Sequence, residues 1–202
     1  MTRQIEVLPA TLKDLKYIDY LQRKNAEELA FYPNQVFERE VENFRILLAK
    51  VNNTPAGYIY HGAFGNVCKI HQACIEYDLR GQLYGSEMVR YLIQMADVAK
   101  VHSIKLRCGS EIQANHFWKT MGFHCESVTV GGIRRMRDIN CWRYDLQPVL
   151  FMSSINPSNK KKSASVWAKR KTSSESSFLR GRALKVYREK ILQEANNDKT
   201  EG

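Results

Sequence analysis

The sequence predicts one α/β (α+β) domain with about seven strands over residues 1–150, followed by a basic extension. Three observations carry this. The apolar pattern switches between the two-residue repeat of strands and the 3.6-residue repeat of helices, in the order β-α-α-β-β-β-α-β-α-β-β. With 44% hydrophobic residues the chain can bury a core. From Ser153 the composition turns to Ser, Asn, Lys and Pro, around Lys160-Lys161-Lys162, as in a linker.

Each element has its own signal. Residues 3–8 alternate as a short strand, which Pro9 ends and Thr11 follows as a helix cap. Leu12, Leu15, Ile18, Leu21, Ala26 and Leu29 recur at helical spacing, predicting a helix from Leu12 to Phe31. Tyr32-Pro33-Asn34 breaks it, and Asn34 caps a second helix, Gln35 to Asn43. Arg45–Val51, Ala56–Ala63 and Val67–Tyr77 form a meander through turns at Asn52-Asn53-Thr54-Pro55 and Gly65-Asn66. Gly85–Val101 reads as a helix, Ser103–Cys108 as a strand, and Glu111–Met121 as a helix with Gly122 as its C-cap. Phe123–Val130 and Asp138–Leu146 are two more strands around a loop with Arg134, Arg135 and Arg137. Residues 151–177 read as a linker, and 178–196 as an amphipathic basic helix or a disordered tail.

Charge is uneven. Residues 151–202 hold 12 Lys+Arg against 5 Asp+Glu, so most of the +10 net charge lies there. This points to a polyanionic partner for the tail, such as nucleic acid or an acidic protein, with a solvated extension as the alternative. No run approaches the ~20 apolar residues that span a bilayer, and the N-terminal residues lack a signal-peptide pattern. Five cysteines without a Cys-x-x-Cys pair argue against a disulfide framework or zinc site, and with no metal expected, a reducing cytoplasmic setting follows.

The chemistry centres on the junction Ile75-Glu76-Tyr77-Asp78-Leu79-Arg80-Gly81-Gln82-Leu83-Tyr84-Gly85-Ser86. A strand runs through a short basic, glycine-containing loop into a helix, whose N-terminus offers unpaired N–H groups and partial positive charge. The fitting ligand is a pyrophosphate. The loop resembles the Gln/Arg-x-x-Gly-x-Gly/Ala segment of the GNAT superfamily, with Arg80 and Gly85 matching and Leu83 at the first glycine position. Ala114-Asn115-His116-Phe117-Trp118-Lys119-Thr120-Met121-Gly122-Phe123 resembles the second landmark, Ala-x-x-Phe-Tyr-x-x-x-Gly-Phe. The element order matches that family over about 145 residues. The Gly131–Arg137 loop with Trp142 also looks like GNAT-like proteins of phages and mobile elements, including Mom-type DNA-modifying enzymes.

The resemblance implies a mixed, mostly antiparallel sheet with helices on both faces and a V-shaped splay between the fourth and fifth strands. It implies an acyl-coenzyme A-dependent N-acyltransferase, with acetyl-CoA as donor and an unassigned amine as acceptor. Pantetheine would run along Ile75 and Tyr77, the pyrophosphate on Arg80, Gly81, Gln82, Leu83, Tyr84, Gly85 and Ser86, and the thioester beside Asn115 and Trp118. Trp118 stands where many members carry a proton-donating tyrosine, and indole supplies no such proton.

For proton transfer the candidates are His71 and Glu76, assigned opposite strand parities; the alternatives are a strand histidine bonded to a neighbour and a solvated charge beside Arg80. Cys108 is a candidate nucleophile or a buried structural thiol. Arg134, Arg135 and Arg137 suit acceptor phosphates, acidic groups or nucleic acid, or else a solvated hairpin tip. Two alternatives stand beside acyl transfer: nucleic-acid base modification, and a non-catalytic binding module acting through the tail. A dimer is compatible with the apolar stripe Leu179–Ile191.

Overall fold

Asn52 and Asn53, both left-handed at φ 49° and 66°, turn one strand sharply into the next. The computed structural model describes residues 5–131 and 137–146. The linker and helix expected at 151–177 and 178–196 fall outside the described residues, as do Arg134 and Arg135. In chain order the elements are β1 Ile5–Pro9, α1 Leu15–Lys24, α2 Asn34–Glu42, β2 Ile46–Val51, β3 Thr54–Phe64, β4 Val67–Ile75, α3 Tyr84–Val98, β5 Ser103–Gly109, α4 Ala114–Thr120, β6 His124–Val130 and β7 Asp138–Asp145. Short 3-10 turns at Leu12–Asp14 and Tyr77–Leu79 precede α1 and follow β4. The sheet order is β1-β2-β3-β4-β5-β7-β6, with every neighbouring pair antiparallel except β4–β5.

Two apolar layers hold the helices to the sheet. On one face Met88, Val89 and Leu92 of α3 and Trp118 of α4 meet Leu47, Ile59, Ile70, Ile104 and Leu106 from the strands. On the other, Ile18 and Leu21 of α1 and Phe37 and Val41 of α2 meet Ile46, Leu48, Tyr58, Tyr60 and Cys74. Each fully buried aliphatic side chain contributes about 1.5–3 kcal/mol against exposure. This second layer uses side chains of β2, β3 and β4 only. Lys105, Arg107 and Arg143, on β5 and β7, make polar pairs with residues of the β-sheet itself.

Boundaries shift for local reasons. The expected helix Leu12–Phe31 ends at Lys24, because Asn25 turns its amide back onto the Leu21 carbonyl at 2.8 Å. The linker after it is tied down by a buried network. Gln22 accepts from the Tyr32 amide at 2.8 Å and from Gln72 Nε2 at 2.9 Å, Gln72 also donates to the Ala30 carbonyl, and Tyr58 donates its hydroxyl to Gln72 at 2.9 Å. Asn34 is the first residue of α2, not its cap; Pro33 holds the N-cap position in extended backbone. The expected strand to Tyr77 stops at Ile75, since Tyr77–Leu79 coils into a 3-10 turn. Gly122 terminates α4 as expected: at φ 87° it lets Phe123 N–H reach the Trp118 carbonyl (3.1 Å) and its own N–H reach Lys119 (3.1 Å), a Schellman closure.

A β-bulge in β4 changes the reading of that strand. Tyr60 pairs with Gln72 but His61 pairs with Ile70, so His71 is an extra residue on β4. Before it, Cys68 and Ile70 face α3; after it, Gln72 and Cys74 face α1 and α2, although all four share one sequence parity.

Candidate active site

The parallel ladder between β4 and β5 runs through Val67–Ser103, Cys68–Ile104 and Lys69–Lys105 and then stops. Beyond Lys69 the two strands diverge, and β4 exposes an unpaired edge to the gap. The Glu76 amide donates to the Ala56 carbonyl at 2.9 Å, so Glu76 and Cys74 turn their backbone groups toward β3. By the alternation of an antiparallel ladder, Ala73 and Ile75 turn theirs toward the gap. The Ile75 carbonyl already accepts from Arg80 Nε at 3.3 Å.

The outer end of the gap is closed by the junction leading into α3. Gly81 at φ 76° has nothing within 4 Å of where a Cβ would stand. Leu83, the N-cap of α3, sits at φ 66° with its side chain 69% exposed. A leucine in the left-handed region costs about 1–2 kcal/mol, so the turn keeps the glycine conformation without the glycine. The first intrahelical bond runs from Glu87 N–H to the Leu83 carbonyl at 3.0 Å, which leaves the amides of Tyr84, Gly85 and Ser86 without partners inside the helix. A Cβ on Gly85 would lie 3.5 Å from the Phe117 ring and 3.7 Å from Ile75 Cγ1.

The candidate side chains separate into groups. Tyr84 is buried among Val51, Ala56 and Ile75, so its phenol anchors α3. Gln82 donates to the Asp78 carbonyl at 3.1 Å, and Tyr77 is exposed beside Arg80. Arg80 turns away from the helix end, donating to Asn25 Oδ1 at 2.7 Å and lying 3.5 Å from Glu28. Trp118 points into the α3-side core. Its neighbour Phe117 is the α4 ring that reaches Gly85. Asn115 spends its polar atoms within the chain: its amide nitrogen donates to Gly109 (2.6 Å) and Ile112 (2.7 Å), and its oxygen accepts from Asn140 (3.0 Å) and Trp142 (2.9 Å). These bonds fasten the start of α4 to β5 and β7.

The expected opposite parity of His71 and Glu76 is corrected by the bulge: both lie on the α1–α2 face. His71 is half-buried, stacked on Tyr60 with ring centroids 4.6 Å apart and edge-on to Tyr32. Burial first, then the charge of Lys69 nearby, and to a lesser degree Arg45, hold it below the usual imidazole range, with Glu40 partly opposing. Glu76 instead pairs with Lys24 of α1 at 3.2 Å. Cys108 is buried, and burial pushes its thiol up to about 11.

Two hollows border these strands. One, of about 720 Å³, is lined by Ala26, Glu27, Ser110, Glu111, Arg137 and Asp138. There Arg137 pairs with Glu111 at 2.7 Å, making it the one member of the arginine loop within the described residues. The other, of about 520 Å³, has Lys69 and His71 of β4 facing Lys105 and Arg107 of β5. Lys69, Arg107 and Phe117 were missed as candidates. Only the last carried a usable signal, since it precedes Trp118 in the second landmark; the two cations meet only when β4 and β5 are brought side by side.

The family model described as "Acetyltransferase (GNAT) domain" matches residues 17–134. Among solved structures, Ard1 from Thermoplasma volcanium superposes with a TM-score of 0.63 at 13% identity, over 70% of this chain and 97% of that one. An N-acetyltransferase from Staphylococcus aureus Mu50 gives 0.61 at 16% identity, over 71% and 99%. YncA from Salmonella typhimurium, solved with its cofactor acetyl-CoA, gives 0.62 at 15% identity, over 71% and 95%. At these identities the superpositions show the fold alone. No curated protein matches by sequence. Among the described residues no helix is long and apolar enough to cross a membrane.

Proposed function

Because this chain belongs to the GNAT acetyltransferase family, we propose that it transfers an acetyl group from acetyl-CoA to an amine. One observation carries this reading: β4 and β5 part after Lys69–Lys105, and bare amides at the start of α3 close the outer end of the gap. Acetyl-CoA would supply an acyl group already activated as a thioester. The chain's residues fit it in two places. The amides of Tyr84, Gly85 and Ser86, at the end of the Gly81–Leu83 turn, suit a pyrophosphate, because a helix N-terminus joins unpaired helical donors to positive potential and Gly85 keeps the approach open. The free edge of β4 at Ala73 and Ile75 suits the strand-like pantetheine, and an amide there is placed to stabilise negative charge on an acyl oxygen.

His71 serves as proton acceptor for the amine. It faces the α1–α2 side of the gap, and its lowered pKa keeps the imidazole neutral near pH 7. Glu76, engaged by Lys24, is the lesser candidate. The raised thiol of Cys108 holds almost no thiolate at neutral pH, which disfavours a covalent route. Trp118, in the core, supplies no proton to the departing thiol.

The test is release of coenzyme A thiol from acetyl-CoA across a panel of amines. With an accepted amine, His71→Gln should lower kcat/KM by about 10²–10⁴-fold, leaving acetyl-CoA affinity unchanged. The acid limb of the wild-type pH profile should fall below the ordinary imidazole pKa. An unaltered rate in His71→Gln would remove the histidine from the reaction.

A further inference from the structure

The 520 Å³ hollow gathers cations on a sheet face. Lys69 and Lys105 are direct neighbours on the parallel ladder, and Arg107 is the next residue of β5 on the same face. Like charges placed opposite each other on a sheet are unfavourable. Lys105 is relieved by Glu126 at 2.7 Å; Glu126 also lies 3.2 Å from Arg143, which has a closer partner in Asp145 at 2.6 Å. Arg107 donates only to the neutral Thr129 hydroxyl, at 3.1 Å, and neither it nor Lys69 forms an ion pair among the described residues. The hollow therefore holds two cations without an ion pair beside one carboxylate, Glu126, at a volume suited to a small molecule. His71 lines the same wall, two positions along β4 from Lys69.

We infer that the acceptor is a small amine bearing a carboxylate or phosphate, its anion held by Lys69 and Arg107 and its amine presented to His71. This rests on the acyl-transfer reading for the role of the amine, but anion binding stands apart from it and is tested apart. An exposed lysine and arginine flanking one hollow offer a flexible point charge and a planar fork, which together suit a carboxylate or phosphate. Because Lys69, Arg107 and His71 line one small hollow, the arrangement suits an amine that carries its anion on the same short molecule, as in an amino acid with an acidic side chain.

The experiment is calorimetric titration of the full chain, saturated with coenzyme A so that the α3 amides are filled, with O-phosphoserine, glutamate and serinamide. The two anions should bind and serinamide, which has neither carboxylate nor phosphate, should not; since both anions share an α-carboxylate, the stronger identifies which side-chain group, phosphate or carboxylate, is preferred. Lys69→Gln and Arg107→Gln should each weaken anion binding by about tenfold or more. Both side chains are exposed, so both variants should fold, and coenzyme A affinity should stay within about twofold, since neither residue lies at the α3 end. Failure to bind coenzyme A would sink the cofactor reading alone; the titrations would then be repeated on the free protein, where the two variants still report on the hollow. Equal binding of serinamide, no binding of either anion, or anion binding unchanged in both variants would overturn the inference. Binding of a single-stranded oligonucleotide through Lys69 and Arg107, with neither small anion bound, would overturn it in favour of nucleic acid.

Discussion

Leu83 takes a backbone conformation that glycine takes without cost, and it does so where the family pattern places glycine. Its side chain is largely exposed, so little packing would be lost with it. Leu83→Gly should therefore raise stability by about 0.5–1 kcal/mol, the left-handed strain relieved less the extra unfolded-state entropy of glycine. Denaturant titration reads this as a higher midpoint at constant slope. His61 is a second strained residue, electrostatically. It is buried on β3 with Nε2 lacking a partner among the described residues, and burial, reinforced by Arg45 and His71, pushes its pKa down to about 4. Below the unfolded value of 6.5 the unfolded chain binds a proton that the folded chain refuses, so stability falls as pH drops from 6.5 toward 4. His61 should contribute a loss of roughly 2 kcal/mol between pH 7 and 5, and His61→Leu should lose less over that window. Glu40 acts lower. Burial alone would raise its pKa, but hydrogen bonds from Arg45 and Arg39 outweigh this and hold it below its ordinary range, so its contribution is lost only as pH falls further.

At the scale of elements, the network of Gln22, Gln72 and Tyr58 fixes the stretch between α1 and α2 against β4. Gln72 is central, because its side chain joins the Ala30 carbonyl, Gln22 and Tyr58. Gln72→Leu should cost about 2–3 kcal/mol by leaving those buried groups short of partners. Amide hydrogen exchange should quicken across residues 25–33 while α3 stays protected; uniform quickening would mean that the network holds the whole sheet. The order and type of the elements were legible in the sequence because each carries a clear period and a turn signal, as at Asn52-Asn53 and Gly122. The end of α1 was not, since Leu29 keeps helical spacing while side-chain bonds from Asn25 and Gln22 end the helix. Nor was the bulge. Cys68, Ile70, Gln72 and Cys74 alternate as in an ordinary strand, and only pairing with β3 shows that His71 reverses the faces midway.

Across the whole molecule, the sheet divides its labour. Its β1–β4 half has α3 packed on one face and α1 and α2 on the other, while α4 packs against β5 and β6. The parting of β4 from β5 falls between these halves, with the α3 amides beyond its open end and the basic hollow beside its last paired residues. The α3 end of this arrangement could be read from Arg80, Gly81 and Gly85, because a strand, a short loop and a helix are consecutive in sequence. The basic end could not, because Lys69 and Arg107 are 38 positions apart and meet only through a parallel crossover. The central claim is that the α3 N-terminus holds the pyrophosphate of a coenzyme A thioester. Isothermal calorimetry of the wild type and Gly85→Glu with acetyl-CoA tests it most directly. A Cβ at position 85 meets Phe117 only at ordinary contact distance, so the variant should keep its fold while placing a carboxylate against the phosphates. Binding by the wild type, weakened about a hundredfold in Gly85→Glu with unchanged melting, is the expected result. No binding by the wild type, or equal binding by the variant, would contradict the account.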